Sequence, residues 1–316
     1  MKKLGILWVL TGFILILQQS VVAVEWNQVV EHFPNGNINW SEAIIEARGI
    51  GAPPDHLRGT PEARPMALRA AQVDAYRNLL ETIKGVRIDS KSTIKDFVTQ
   101  SDTITAEIEG IIRGGQVVKR EYLSDGTVEV IMQMKLNGGF AHLILPKDIQ
   151  PAKTLRPVLP PESLEPKLTE PAEPHERPDQ TDHVTSEPDL LPEKKEHAEP
   201  QHRAIYTGLI VDARGLSVKP SMSPKILDED GQEIYGSAFV SREYAVQQGM
   251  SGYAKDIKAA QENPRVASNP ITVKGVKTFG QGRSDIIISN ADASKIRSAS
   301  DDLSFLQQCR VMIVVD

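Results

Sequence analysis

The chain has 316 residues, long enough for two domains, and its 25% charged and 40% hydrophobic content is ordinary for a globular protein. A formal net charge of -6, without any basic stripe interleaved with aromatics, excludes a general polyanion-binding field and with it nucleic acid as the partner. The single cysteine, Cys309, excludes an intramolecular disulfide, and its place beside the apolar run RVMIVVD predicts a buried, inert thiol.

Residues 1–23 have the layout of a secretory signal peptide. Lys2 and Lys3 precede an apolar core, LGILWVLTGFILIL, and Val21-Val22-Ala23 sets small residues at a cleavage site. That core is short for a membrane span, so the expectation is export to the periplasm with cleavage near Ala23; a retained anchor is the rival. No cysteine follows the signal to receive lipid, and no later segment is apolar enough to span a membrane.

Residues 24–148 are expected to form an α+β domain, a long helix on an antiparallel sheet. Pro34-Asn35-Gly36-Asn37 is a turn signal dividing WNQVVEHF from INWSEAIIEARG, which predicts two strands. The spacing then predicts a helix over 65–84. Leu68, Ala71, Ala75, Leu79 and Ile83 make its core-facing stripe, and Ala67, Ala70, Ala71 and Ala75 would let it sit close on a sheet. Arg77 and Glu81 are set as an exposed i, i+4 pair, and Gly85 as the stop. VRIDSKSTI alternates as a strand does. A short helix is expected over 102–112, with Ile104, Ile108 and Ile111 on one side. QVVKREYL and TVEVIMQMKL flank Ser-Asp-Gly as a hairpin, with Val128, Val130, Met132, Met134 and Leu136 facing inward.

Residues 149–202 change composition abruptly. They hold eleven of the 21 prolines among Glu, Lys, Asp, His and Thr, with no aromatic residue. Such a segment cannot bury enough apolar surface to offset its ordering entropy, so a disordered linker is expected. As a coil it would span about 40 Å, which predicts two folded modules on a long leash.

Residues 203–316 are expected to form a second α/β or α+β domain. IYTGLIVDA and RVMIVVD suit central strands, KILDEDGQEIY is a hairpin about Asp230-Gly231, and YAKDIKAAQ is a short helix ending before Pro264. ITVKGVKTF and DIIIS are further strands, and Asn290 is placed to cap a helix over 291–298. The run Val211-Asp212-Ala213-Arg214-Gly215-Leu216 echoes Ile45-Glu46-Ala47-Arg48-Gly49-Ile50, each read as a strand running into Arg-Gly, where glycine lets the chain turn.

A search for chemistry starts at IEARGIGAPP. A dinucleotide-binding loop needs a third glycine and a helix opening directly behind it, so that free N–H groups face the phosphates. Here Gly51 is followed by Ala52-Pro53-Pro54, which removes two donors and delays the helix. Gly49 and Gly51 are instead expected to let a strand turn toward the helix. Four of the seven histidines (His175, His183, His197 and His202) lie in the linker, and no zinc, calcium or nucleophile-elbow motif accompanies the others. The acidic turn Asp228-Glu229-Asp230 reads as a solvated hairpin tip. No catalytic residue, cofactor or metal is assigned, and an enzyme is not expected. Arg48 and Arg214 remain the candidate interaction residues.

The strand ending Ala-Arg-Gly-Ile-Gly, the helix ARPMALRAAQVDAYRNLLETIKGVRI and the hairpin SDGTVEVIMQMKL, in that order, resemble the twenty-kilodalton LPP lipoprotein family. They also resemble the related N-terminal domain of flagellar assembly protein T. The resemblance covers about residues 38–136 and departs from the lipoproteins in lacking the lipidated cysteine. It implies a compact exported helix-on-sheet domain without known catalysis, with envelope or flagellar proteins as partners. The leading expectation is therefore a non-catalytic cell-envelope protein, an assembly factor bridging two partners through its two modules. The alternative is a periplasmic small-ligand or anion-binding protein using Arg48 and Arg214.

Overall fold

The computed structural model describes residues 28–146, 149, 206–299 and 304–316. The expected signal peptide, and the expected linker apart from Ile149, lie outside the described residues. Ile149 itself is buried in the core, so the first folded segment reaches further than its expected end at residue 148.

The N-terminal segment is α+β. Its five-stranded antiparallel sheet is built from β1 (Val30–Phe33), β2 (Gly36–Asn39), β3 (Ile44–Gly51), β4 (Gln116–Tyr122) and β5 (Val128–Lys135), in the order β1-β2-β3-β5-β4. The stretch INWSEAIIEARG is two strands rather than one. Asn39 turns its carboxamide oxygen back on the N–H groups of Ser41 and Glu42, and Ala43 takes a φ of 54°, so the chain reverses between β2 and β3. The β4–β5 hairpin forms as expected, with Val128, Val130, Met132, Met134 and Leu136 all buried.

Across the inner face of the sheet lies α1 (Ala63–Lys84). Its stripe is Ala67, Ala71, Ala75, Leu79 and Ile83, all buried; Leu68 is only partly so. The inward residues of β3 are Ile45, Ala47, Gly49 and Gly51, all buried. A Cβ added at Gly49 would run into the backbone of Ala71 and Ala75, and one at Gly51 into that of Ala67 and Ala71. Helix and strand therefore run in opposite directions, and side chains shrink along one as they grow along the other. Small meets small, and the helix backbone lies directly on the strand backbone. The two glycines are thus sites of close approach within an uninterrupted strand, which corrects their reading as a turn. Gly85 caps the end of α1 as expected, though with φ -79° rather than a left-handed turn, and it is also a contact residue, since a Cβ there would strike the Phe33 ring. Glu81 pairs with Lys84 at 2.7 Å, in place of the expected Arg77.

VRIDSKSTI is a loop, against its alternation. Asp89 accepts from Lys91 N, Ser92 N and the Ser92 hydroxyl, which folds the chain into a tight bend. It leads into α2 (Ile94–Gln100), opened by a capping box of Thr93 and Asp96. The expected helix follows as α3 (Asp102–Ile112), capped by Ser101. After β5 comes α4 (Gly139–Ile144), which the sequence reading missed.

The C-terminal segment is a seven-stranded mixed sheet. Its strands are β6 (Gly208–Asp212), β7 (Ile226–Leu227), β8 (Glu233–Tyr235), β9 (Gly252–Ala254), β10 (Pro270–Phe279), β11 (Asp285–Ile288) and β12 (Val311–Val314), in the order β8-β7-β11-β10-β6-β12-β9. The expected central strands, β6 and β12, are central and parallel, and their residues are almost wholly buried. The helices are α5 (Arg242–Gln248), α6 (Ile257–Glu262), α7 (Asn290–Ser298) and α8 (Ser304–Gln307). The cap of α7 is Ser289, one residue before the expected Asn290. YAKDIKAAQ divides into the end of β9 and α6, because Asp256 caps the helix at Ala259 N. Among the described residues no helix is long and apolar enough to cross a membrane.

The two segments are not separate bodies. They form one compact unit with one continuous hydrophobic core. Backbone bonds cross the seam from Met222 N to Arg87 O, Ser223 N to Ile88 O, Gly282 N to Ser90 O and Gly138 N to Val246 O, at 2.7–3.0 Å. Trp40 meets Tyr253 edge to face, and Arg87 lies over the Trp40 ring, pairs with Glu31 and donates to Pro220 O. Arg242 of α5 donates to the carbonyls of His142, Leu145 and Pro146 at the end of α4. The leash reading is corrected on this ground: the described segments on either side of the proline-rich stretch share one core.

Three outcomes test this description of the packing. Gly49→Ala and Gly51→Ala should each lower stability by about 1–3 kcal/mol in urea unfolding, because the helix backbone cannot retreat from one methyl alone. Gly110→Ala, on an α3 face with nothing near its added Cβ, should instead gain up to about 1 kcal/mol. Cutting the backbone at a protease site engineered into residues 157–204 should leave both fragments eluting as one species in size-exclusion chromatography; separate elution would contradict the shared core.

Candidate functional site

The inner face of the five-stranded sheet is occupied by α1, and its outer face is where polar side chains collect. Alternation fixes which residues face outward, and the register aligns them. His32 pairs with Asn37, Asn37 with Glu46, Glu46 with Gln133, and Gln133 with Gln116. One residue from each of the five strands thus forms a continuous cross-strand row. The next row carries Arg48, Ile131 and Lys119. These residues are half-buried or exposed.

The row is partly self-organised. Gln133 Nε2 donates to Glu46 Oε1 at 2.9 Å, and Asn37 reaches the other Glu46 oxygen at 3.5 Å. Glu46 lies between two shallow depressions of about 380 and 400 Å³. One extends past Asn35 and Arg48 to Asp74 and Asn78 of α1; the other extends past Asn39 and His32 to Lys255. The first exists because β2 begins only at Gly36, opposite Ala47, while β3 runs on to Gly51. The released edge of β3 is met by α1 side chains, with Asp74 accepting from Ile50 N and Asn78 donating to Arg48 O. Such a surface offers amide donors and acceptors at strand spacing and little net charge, which suits a hydrated contact with another polar surface.

Arg48 sits in this field, inside β3 rather than at a strand end. Its guanidinium is held by Glu129 of β5 at 2.5 Å. Arg214 lies apart, beyond the end of β6, in a two-pronged pair with Asp212 at 2.8 Å. The hydrogen bonds from Arg214 hold the Asp212 carboxyl below the usual carboxylate range. The Arg-Gly echo is therefore not one local solution used twice: the first copy is mid-strand, the second a turn in which Gly215 has φ 78°. The structure does not bring the two arginines into one site, and each already has its own carboxylate.

Other groups with altered protonation serve the packing. Burial pushes the Cys309 thiol up to about 11, as an inert cysteine requires. The acidic turn is less solvated than expected. Burial alone would raise Asp228, but the Arg297 bond at 2.5 Å and the N–H groups of Gln232 and Asp230 outweigh it and hold the carboxyl low. Glu229 and Asp230 bind Asn290 at the start of α7. Asp285, at the seam, is raised by burial, against bonds from the Ser90 hydroxyl and Lys225 N. Among the described residues no group of three or more His, Cys, Asp or Glu is placed to hold a metal.

Residues 208–316 match the family model described as the second domain of Treponema pallidum Tp0624, and the match opens on the first residue of β6. No curated protein matches the chain.

The seam carboxylate sets a pH signature. The folded value of Asp285 is raised, so its contribution to stability is full below the ordinary 3.8 and fades as pH rises through the folded value. Asp212 and Asp228 are depressed, so theirs is present above 3.8 and fades only as pH falls below it. The two windows fall on opposite sides of 3.8. The stability of the native chain relative to Asp285→Asn should therefore increase as pH is lowered from neutral toward 3.8, read from urea midpoints. A pH-independent difference would contradict the assignment.

Proposed function

We propose that this chain is an exported, non-catalytic assembly protein of a bacterial envelope, which acts as one body and docks a partner protein on the outer face of its five-stranded sheet. The observation that carries the reading is the cross-strand row His32, Asn37, Glu46, Gln133 and Gln116. Polar, near-neutral and laid on a rigid sheet, it supplies pre-set hydrogen-bonding groups at little ordering cost. The likeness of residues 38–136 to envelope lipoprotein and flagellar assembly domains supports envelope or flagellar proteins as the partners.

The shared core alters the bridging idea. Two modules with one core move together, so partners bound to them are held at a fixed separation instead of being loosely linked. Export through the segment before Ala23 belongs to the same proposal.

Photo-crosslinking amino acids at Asn37, Lys119 and Ile131, compared with one at exposed Lys295 on α7, test the surface in intact cells. The three sheet positions should capture one common envelope or flagellar protein that Lys295 does not. The same products from all four positions, or none from the sheet, would count against the reading.

A further inference from the structure

One corner of the outer face departs from the near-neutral character of the row. In the depression of about 380 Å³ where β3 runs on past the start of β2, three charged side chains line the space: Glu46, Arg48 and Asp74. Arg48 brings no spare charge, because its guanidinium is held by Glu129, which is not part of the lining. Glu46 and Asp74, both half-buried, make no ion pair among the described residues. They accept only from neutral groups: Glu46 from Gln133 and Asn37, Asp74 from Ile50 N at 3.0 Å and Asn78 at 3.3 Å. Lys255 lines the second depression and pairs with neither.

The depression therefore carries two negative charges without a cation, one from β3 and one from α1. The bonds from Ile50 N and Gln133 hold both carboxylates in place before anything binds, so little ordering is lost on binding. The amides of Asn35 and Asn37 add polar groups, while Pro34 and Ile131 add apolar surface. A long side chain with a methylene stem and a cationic head matches this mixture. An ammonium is a compact point charge, whereas a guanidinium spreads five N–H donors over a planar fork and can serve carboxylate and amide oxygens together.

We propose that this depression is a socket for an arginine side chain of the docked partner, whose charge is shared between Asp74 and Glu46. The inference rests on the outer sheet face being the docking surface, and it adds what the partner must present there. The polar row then supplies the contact area, and the socket supplies the one fixed point of charge recognition.

The test titrates the full chain with arginine amide and, in parallel, with its neutral isostere citrulline amide, following the side-chain amide signals of Asn35 and Asn78 by NMR. Arginine amide should give saturable shifts, and citrulline amide should bind about tenfold more weakly. The double variant Glu46→Gln, Asp74→Asn keeps an acceptor at each position and removes only the charge, so it should lose the preference for arginine amide. Equal binding of the two amides, no saturable shift, or an unchanged preference in the double variant overturns the socket. In intact cells, the product captured by a photo-crosslinking residue at Lys119 should fall severalfold in the double variant. A product that persists undiminished overturns the socket and leaves the docking surface standing. Absence of any product in the native chain counts against the docking surface, and the titration still decides whether the socket takes an arginine.

Discussion

The fold of the N-terminal segment depends on how closely α1 can lie on β3. Two facing backbones without intervening side chains gain dense dispersion contact over several turns, though each alanine buries little area. Gly49 and Gly51 make that distance possible, and Ala67, Ala71 and Ala75 answer them from the helix. At the other end Ile45, Leu79 and Ile83 supply the ordinary apolar burial, about 1.5–3 kcal/mol each. This graded fit sets the tilt of the helix and commits one sheet face to the core. The face left over is the one that carries the polar row, so the proposed surface follows from the glycines as much as from its own residues.

The second constraint is the seam. The loop around Asp89 supplies carbonyls to Met222, Ser223 and Gly282, while Arg87 bridges Glu31, Trp40 and Pro220. These are directional bonds, several of them charge-assisted, and they fix orientation in a way that apolar contact alone does not. A continuous core beneath them makes the two segments one cooperative unit.

Elements whose information is local were legible in the sequence. The α1 period, the alternation of β5, the turn at Asp230-Gly231 and the apolar runs of β6 and β12 each identify themselves within a dozen residues. Where a side chain redirects the backbone, pattern misleads: Asp89 turns an alternating stretch into a loop, and Asn39 breaks one long strand into two. The seam was illegible because it rests on single residues far apart in the chain, such as Ser90 with Asp285 and Trp40 with Tyr253. Of the site, Arg48 was visible as a candidate. Asn37, Gln116 and Gln133 were only polar positions on strands until the pairing register aligned them with Glu46.

The strand order of the larger sheet has a kinetic consequence. The five strands of the first sheet pair largely with sequence neighbours, and β4 and β5 join β3 across the helices between them. In the second sheet β12, last of its strands in the chain, stands between β6 and the edge strand β9. Until β12 is made, β9 has no partner strand and β6 is paired only with β10. The order in which the chain emerges from a ribosome thus opposes the order in which this sheet must be assembled. A long-range pairing of this kind is slow and exposes strand edges meanwhile.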